Sequence, residues 1–317
     1  MELSSVIKTT IKRSGAVSLY YILLNKYGVL FPSFLLRFSP RYFVKYRYKK
    51  AYGKRIHLKN PRTFDEKLLW LMLFWRHPLK IRCGDKYTMR LYVQENGWGH
   101  VLPELQGVYE NSNDINFDLL PDKFVLKCTH GCGFNIICKN KEEFDQQEAK
   151  NKLDKWMKID YSKYAGELHY NKMKPKIICE QFLDDLAGDL PVDYKVYCFQ
   201  GKAHCTLTVL ERRDAEHHAL YDFYDREWKT KLPYSKSSLL ADRNIPKPEA
   251  YEEIISAAEA LSKPFPFVRM DFYNIHGKAV LGEMTFTPSG CIGKGYTELA
   301  QNTLGDLIKL PPKLLSR

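Results

Sequence analysis

Acid is almost missing from the start of this chain. Residues 1–60 contain 13 Lys and Arg against one acid, Glu2, so the formal charge of +12 carried by all 317 residues is the charge of this segment. The remaining residues hold equal numbers of bases and acids, which excludes a polyanion partner chosen by net charge anywhere else. Cysteine is too sparse and too scattered, with eight residues in 317, to be a disulfide scaffold, and a reducing cytosol is expected. The apolar run 16–24 stops at Asn25 and Lys26, short of the roughly 20 apolar residues of a membrane-spanning helix. No small-residue cleavage site follows it, so a secretory signal is not expected. Gly-x-Ser-x-Gly and Walker loops are absent, which sets aside serine hydrolases and P-loop nucleotidases. No internal repeat is present, and a hydrophobic content of 44% excludes disorder.

What is present begins with an aromatic, basic segment. Tyr20, Leu24, Tyr27, Phe31, Phe34 and Phe38 between lysines and arginines read as one or two amphipathic helices, suited to packing on their own domain or to an anionic bilayer surface. Residues 41–55 interleave Tyr with base, but no recognised nucleic-acid motif accompanies them and no nucleic acid is expected. After Pro61 the pattern changes. Thr63 with Glu66 three positions on opens a buried helix over 63–75, and a second helix over 85–95 ends at Asn96 and Gly97. Strands are expected over 124–127 and 135–138 around the turn HGCG, over 176–183, and over 193–199 and 203–210 around Gln200 and Gly201. A polar helix over 141–159, a helix over 251–261, paired strands over 268–273 and 278–283, and a C-terminal helix over 297–308 complete the order.

The chemistry gathers on the strands. Arg269 and Asp271 are two apart and share a strand face, and Glu283 follows twelve residues later across a hairpin that can bring it opposite Asp271. Two converging carboxylates form a hard-oxygen site suited to Mg²⁺, which keeps waters and accepts phosphate oxygens; the plain alternative is an exposed acid pair bridged to Arg269. Lys127, before HGCGF, and Lys195, in DYK, can reach phosphates beside a glycine-containing turn; the plain alternative for each is a solvated strand lysine. Glu180 lies within an apolar strand and needs a partner, an adenine amino group or a lysine. Cys128, His130 and Cys132 lack the spacing of a zinc site.

The order of these segments resembles the ATP-grasp superfamily, and is similar to its TupA-like branch of teichuronopeptide and surface-polysaccharide biosynthesis. The matching stretches are NPRTFDEKLLW (60–70), DKYTMRLYV (85–93), LPDKFVLKCTHGCGFNIICK (120–139), KPKIICEQFL (174–183), DYKVYCFQGK (193–202) and VRMDFYNIHGKAVLGEMTFTPSG (268–290). The resemblance implies an α+β ATP-grasp fold, two α+β subdomains clasping ATP. It divides the chain into a basic, mainly helical segment 1–60, a preceding helical part 61–120, a small subdomain 121–190 with the glycine loop, and a large subdomain 191–317 with the Mg²⁺ site. It implies Lys86 and Lys127 on phosphates, His130, Gly131 and Gly133 in the covering loop, and Glu180, Gln181, Phe182 and Leu183 at the adenine hinge. Lys195 would reach the nucleotide, Arg269 the γ-phosphate or acyl phosphate, and Asp271, Glu283 and Thr285 would hold Mg²⁺. Thr285 stands where many of these enzymes carry Asn. The implied activity is an ADP-forming carboxylate–amine ligase that adds an amino acid or amine to a uronic-acid-type carboxylate in capsule or cell-surface polysaccharide synthesis. It would work in the cytoplasm or peripherally at the inner membrane face, with residues 1–60 against anionic lipid. The alternative is a glycosyltransferase of such a pathway using a nucleotide sugar.

Overall fold

A computed structural model describes residue 36 and residues 39–184, 191–210, 220–236 and 244–315. The helices expected over 20–38 lie outside the described residues, Leu36 excepted. The first helix lying wholly within the described residues, α1 (Pro40–Tyr52), opens with proline in its first turn and ends at Gly53 in the left-handed region, φ 71°. It buries Phe43, Val44 and Tyr48 and leaves Arg41, Lys45, Lys49 and Lys50 exposed. Next, α2 (Phe64–Phe74) is held at its start by the reciprocal bonds of Thr63 and Glu66 and is buried along its whole length. A short α3 (Pro78–Gly84) follows. Then α4 (Lys86–Glu95) is capped by Asp85, whose carboxylate accepts from the Tyr87 and Thr88 amides.

Two antiparallel sheets carry the rest. The smaller comprises β1 (Leu105–Tyr109), β2 (Phe124–Cys128), β3 (Asn135–Cys138) and β4 (Ile177–Gln181) in the order β1-β4-β2-β3. Between β3 and β4 the chain forms α5 (Gln146–Met157) and α6 (Tyr161–Ala165). One sheet face buries Phe124, Leu126, Cys128, Ile177 and Cys179 in a core of its own, while Lys127 and Glu180 stand on the other. The larger sheet comprises β5 (Asp193–Phe199), β6 (Lys202–Leu210), β7 (Leu220–Asp225), β8 (Lys231–Leu232), β9 (Val268–Ile275) and β10 (Lys278–Thr285). Its order is β10-β9-β5-β6-β7-β8. Helix α7 (Tyr251–Ser262) packs its buried Ile254, Ile255, Ala258 and Leu261 on one face of this sheet, and α8 (Glu298–Leu307) packs on α2.

One irregularity matters to everything that follows. The β9–β10 hairpin turns at His276 and Gly277, both with positive φ, and pairs regularly as far as Leu281 opposite Phe272. Strict alternation would then place Gly282 opposite Asp271 and send Glu283 to the other face. A bulge between Leu281 and Glu283 inserts one residue, so Glu283 pairs with Asp271 and Thr285 with Arg269.

The expected elements are present with shifted ends; the helix expected over 141–159 runs Gln146–Met157. Strands β1, β7 and β8 and helix α3 were not foreseen, and α6 (Tyr161–Ala165) lies in a stretch expected to be a Tyr- and Lys-rich loop as far as Pro175. β1 carries a glycine and β7 two acids among three aromatics, so neither shows the β-branched pattern of an interior strand. Because β1 pairs with β4, the small sheet begins before residue 121.

Candidate active site

Register brings five side chains together on the face of the large sheet away from α7. Lys195 on β5 stands opposite Asp271 on β9, which stands opposite Glu283 on β10. Arg269 holds Asp271 with two parallel bonds, Nε to Oδ1 at 2.7 Å and Nη2 to Oδ2 at 2.6 Å. Lys195 Nζ donates to Asp271 Oδ2 at 2.8 Å and lies 3.2 Å from Asp193 Oδ2. Burial alone would raise the Asp271 carboxyl; Arg269 and Lys195 outweigh it and hold it below the usual carboxylate value. Glu283 is more open. Its Oε1 accepts from the Thr285 hydroxyl at 3.1 Å and lies 3.8 Å from Arg269 Nη2.

A cavity of about 480 Å³ adjoins this cluster. Lys195 and Arg269 border it, Leu207, Val209 and Phe223 line it from β6 and β7, and the loop Gly293–Tyr296 closes another side. Tyr197 and Tyr296 share a hydroxyl–hydroxyl bond of 2.6 Å. The loop is fixed from below by Asp65 of α2, which accepts the Gly293 amide at 2.9 Å and the Tyr52 hydroxyl. Burial pushes the Asp65 carboxyl up against these bonds, and its Oδ1 has no partner among the described residues.

On the small sheet, Glu180 is a buried acid between two cations: Lys127 Nζ lies 2.7 Å from Oε2, and Arg90 Nη1 of α4 lies 2.7 Å from Oε1. Arg90 also donates to the Pro103 carbonyl at 2.7 Å. Gln181 continues the strand, its amide on the Glu104 carbonyl, and the Phe182 ring lies 6.0 Å from both Lys123 and Lys139; Leu183 is half-buried. Lys86 does not project freely, because its ammonium donates to the Gly131 carbonyl and ties α4 to the HGCG turn. Gly131 is needed for close approach: a Cβ there would meet Tyr161 at 2.7 Å and Phe134 at 2.8 Å. Gly133 takes φ 78°. His130 turns away into the subdomain, where Nε2 lies 3.2 Å from the Trp156 and Ile159 carbonyls, and burial lowers its pKa. Cys132, at the tip, lies near enough to Glu283, Lys86 and Arg269 to feel their charges, so the turn faces the carboxylates of the large sheet.

Sequence reasoning passed over Arg90, Asp65, Glu167 and Lys80. Burial lifts the Glu167 carboxyl to about 7, against the Thr287 hydroxyl that donates to it and the charge of Arg47; Glu283 raises it further. Burial lowers the Lys80 ammonium to about 8, with Cys291 and Glu167 opposing. Only Arg90 left a trace, one helical turn after Lys86.

A family model described as TupA-like ATPgrasp matches residues 66–309. The chain belongs to the TupA-like ATP-grasp family. Comparison with curated proteins gives no match. Among solved structures it is similar to a D-alanine–D-alanine ligase from Bacillus anthracis, with 16% identity, 72% of this chain and 66% of that chain covered, and a TM-score of 0.42. An L-amino acid ligase from Bacillus licheniformis gives 15%, 73%, 51% and 0.46. The ATP-grasp ligase PsnB, complexed with minimal precursor, Mg and ADP, gives 12%, 77%, 65% and 0.39. The chain therefore spans about half to two thirds of these proteins. In this ATP-grasp chain, Asp271, Glu283 and Thr285 offer hard oxygen donors, and among the described residues no group of three His, Cys, Asp or Glu gathers as a metal site. Carboxylate and hydroxyl oxygens are the donor type of Mg²⁺, which fills the rest of its sphere with water and phosphate oxygens. Among the described residues no helix is long and apolar enough to cross a membrane.

Proposed function

We propose that the protein is an ATP-dependent, ADP-forming carboxylate–amine ligase that works through an acyl phosphate. The observation that carries this reading is the meeting of Lys195, Arg269, Asp271, Glu283 and Thr285 on one sheet face at the edge of the 480 Å³ cavity. A carboxylate seated there faces Arg269 and Lys195, with Lys294 a third cation on the lining. Its oxygen attacks the γ-phosphorus, the bond to the β–γ bridging oxygen breaks and ADP leaves. The amine nitrogen then attacks the acyl carbon and phosphate departs. Asp271, Glu283 and Thr285 would hold Mg²⁺, whose charge neutralises phosphate oxygens. Lys127, carried by Glu180 toward the nucleotide side of the small sheet, would contact the phosphates, and the HGCG turn would exclude water from the acyl phosphate.

Tyr197, Tyr221, Phe223 and Tyr296 give the cavity flat aromatic walls that suit the apolar face of a sugar ring, which supports a uronic-acid-type carboxylate with an amino acid or amine as its partner in surface-polysaccharide synthesis. Membership of the ATP-grasp family favours this over a nucleotide-sugar glycosyltransferase. Eight exposed bases and no acid within 39–62 favour a peripheral position on anionic lipid. Incubation with ATP, an amine and a carboxyl-¹⁸O uronic acid should move one ¹⁸O into released phosphate. ADP release without that transfer would remove the acyl phosphate, and glycosyl transfer without ADP would restore the alternative.

A further inference from the structure

A second, smaller cavity of about 50 Å³ lies between the C-terminal end of α2, α3 and the 3-10 turn Leu168–Lys172. Its ionisable lining consists of Arg76, His77, Lys80, His169 and Lys172, with no Asp or Glu. Arg76 Nε and His169 Nδ1 are buried there without a hydrogen-bond partner among the described residues. Lys80 is 4% exposed and His169 8%, and the Lys80 ammonium is held there against burial only by the more distant charges of Cys291 and Glu167. Three donor-bearing side chains thus line one space, two of them with an unpartnered buried nitrogen, and the nearest acid, Glu167, acts on Lys80 by charge without bonding to it. A buried donor without an acceptor is destabilising, and a buried charge more so. Waters could accept these bonds but would bring no negative charge to Arg76 and Lys80. An anion accepts from all three. The volume is several times the roughly 10–15 Å³ that one water needs on the same measure, enough for a halide or a tetrahedral oxyanion and too small for a nucleotide or sugar acid.

We propose that this cavity binds one small inorganic anion, held by Arg76, Lys80 and His169. Burial and the neighbouring Lys80 charge keep His169 neutral, so it serves as an Nδ1–H donor, while Arg76 and Lys80 supply the charge. The site is separate from the large cavity, but Lys80 also feels Glu167 and Cys291, so occupancy stabilises the junction of α3 with the loop that follows β10.

Thermal unfolding of the full chain tests this at fixed ionic strength, with potassium gluconate, too large for the cavity, replaced stepwise by chloride, bromide or inorganic phosphate. Above half-saturation, Tm should rise by about 2 °C per tenfold increase in the bound anion for a chain of this size. Arg76→Gln and Lys80→Met should abolish the rise. Bromide anomalous scattering in wild-type crystals, which does not depend on a variant folding, should give a peak beside Arg76 Nε and His169 Nδ1. A response to phosphate alone that both variants lose supports an oxyanion occupant. No response in the wild type, a response that survives in both variants, or ordered water in place of bromide overturns the proposal.

Discussion

Replacing Lys127 and Arg90 in turn separates nucleotide binding from folding on the small sheet. Both bond to Glu180 at 2.7 Å, but the Lys127 side chain is 19% exposed and the Arg90 side chain 7%. In Lys127→Met, Glu180 keeps Arg90, and the loss is one hydrogen bond to a charged group, about 1.5–3 kcal/mol. An unfolding entropy of about 2.1 cal/mol/K per residue gives about 0.7 kcal/mol/K for a chain of this length, so Tm should fall by about 2–4 °C. In Arg90→Met, a buried pair is broken and the Pro103 carbonyl loses its donor, a loss of about 3–5 kcal/mol and about 5–7 °C. Calorimetry with a non-hydrolysable ATP analogue should show the opposite order. Lys127→Met should weaken binding roughly 10- to 150-fold, the equivalent of 1.5–3 kcal/mol, and Arg90→Met, measured below its Tm, should weaken it less. An unchanged dissociation constant in Lys127→Met would refute the phosphate role and leave Lys127 as a partner of Glu180 alone.

Asp271→Asn and Glu283→Gln should both abolish ATP turnover but differ in stability. The amide introduced by Asp271→Asn would face Arg269 and Lys195 without charge, a loss of about 3 kcal/mol, whereas substitution of the more exposed Glu283 should cost under about 1 kcal/mol; equal melting temperatures would contradict the geometry. Glu167 holds its proton up to about 7 in the folded chain but only to the ordinary carboxyl value when unfolded, so the folded state binds more protons in between and stability falls as pH rises through that window. Glu167→Gln should therefore melt above the wild type at pH 8, by on the order of 3 kcal/mol, with the gap closing by pH 5; a gap independent of pH would remove the carboxylate from the account. Each exposed base near an anionic bilayer contributes about 1 kcal/mol, so the full chain should co-sediment with phosphatidylserine liposomes at low salt and leave them at high salt. Equal partition onto neutral liposomes would assign the bases of α1 to solvent.

The readable parts of the sequence were those governed by local rules. Thr63 and Glu66 announced the start of α2, Gln200–Gly201 announced a hairpin, and the apolar runs announced β2, β4 and β9. Lys127, Lys195, Arg269 and Asp271 could be placed on strands by counting. Pairings across the fold were not readable: nothing near Glu180 in the chain says that Arg90 comes back to it, and nothing near Asp65 says that it holds Gly293. His130 shows a different limit. Its place beside two glycines gives no direction for its ring, which packing against Phe134 and the carbonyls of Trp156 and Ile159 decides. Glu283 was placed opposite Asp271 by distance along a hairpin, though strict alternation would have denied it.

That extra residue in β10 divides the hairpin into two reading frames. From the tip to Leu281 the strands keep one phase, and from Glu283 onward the other, so the acids of the site are written out of step with each other. Substitutions along β10 act one side chain at a time, but one residue inserted after Gly282 would rotate Glu283 and Thr285 together onto the face covered by α7 and turn Met284, now in the core, outward, whereas loss of Gly282 would straighten the strand and leave Glu283 opposite Asp271. Changes of length at the tip, by contrast, are insulated from the site by four regular pairs. The hairpin can therefore drift in length at its end while the stretch 282–285 tolerates no inserted residue, and the bulge adds a bend where the site begins.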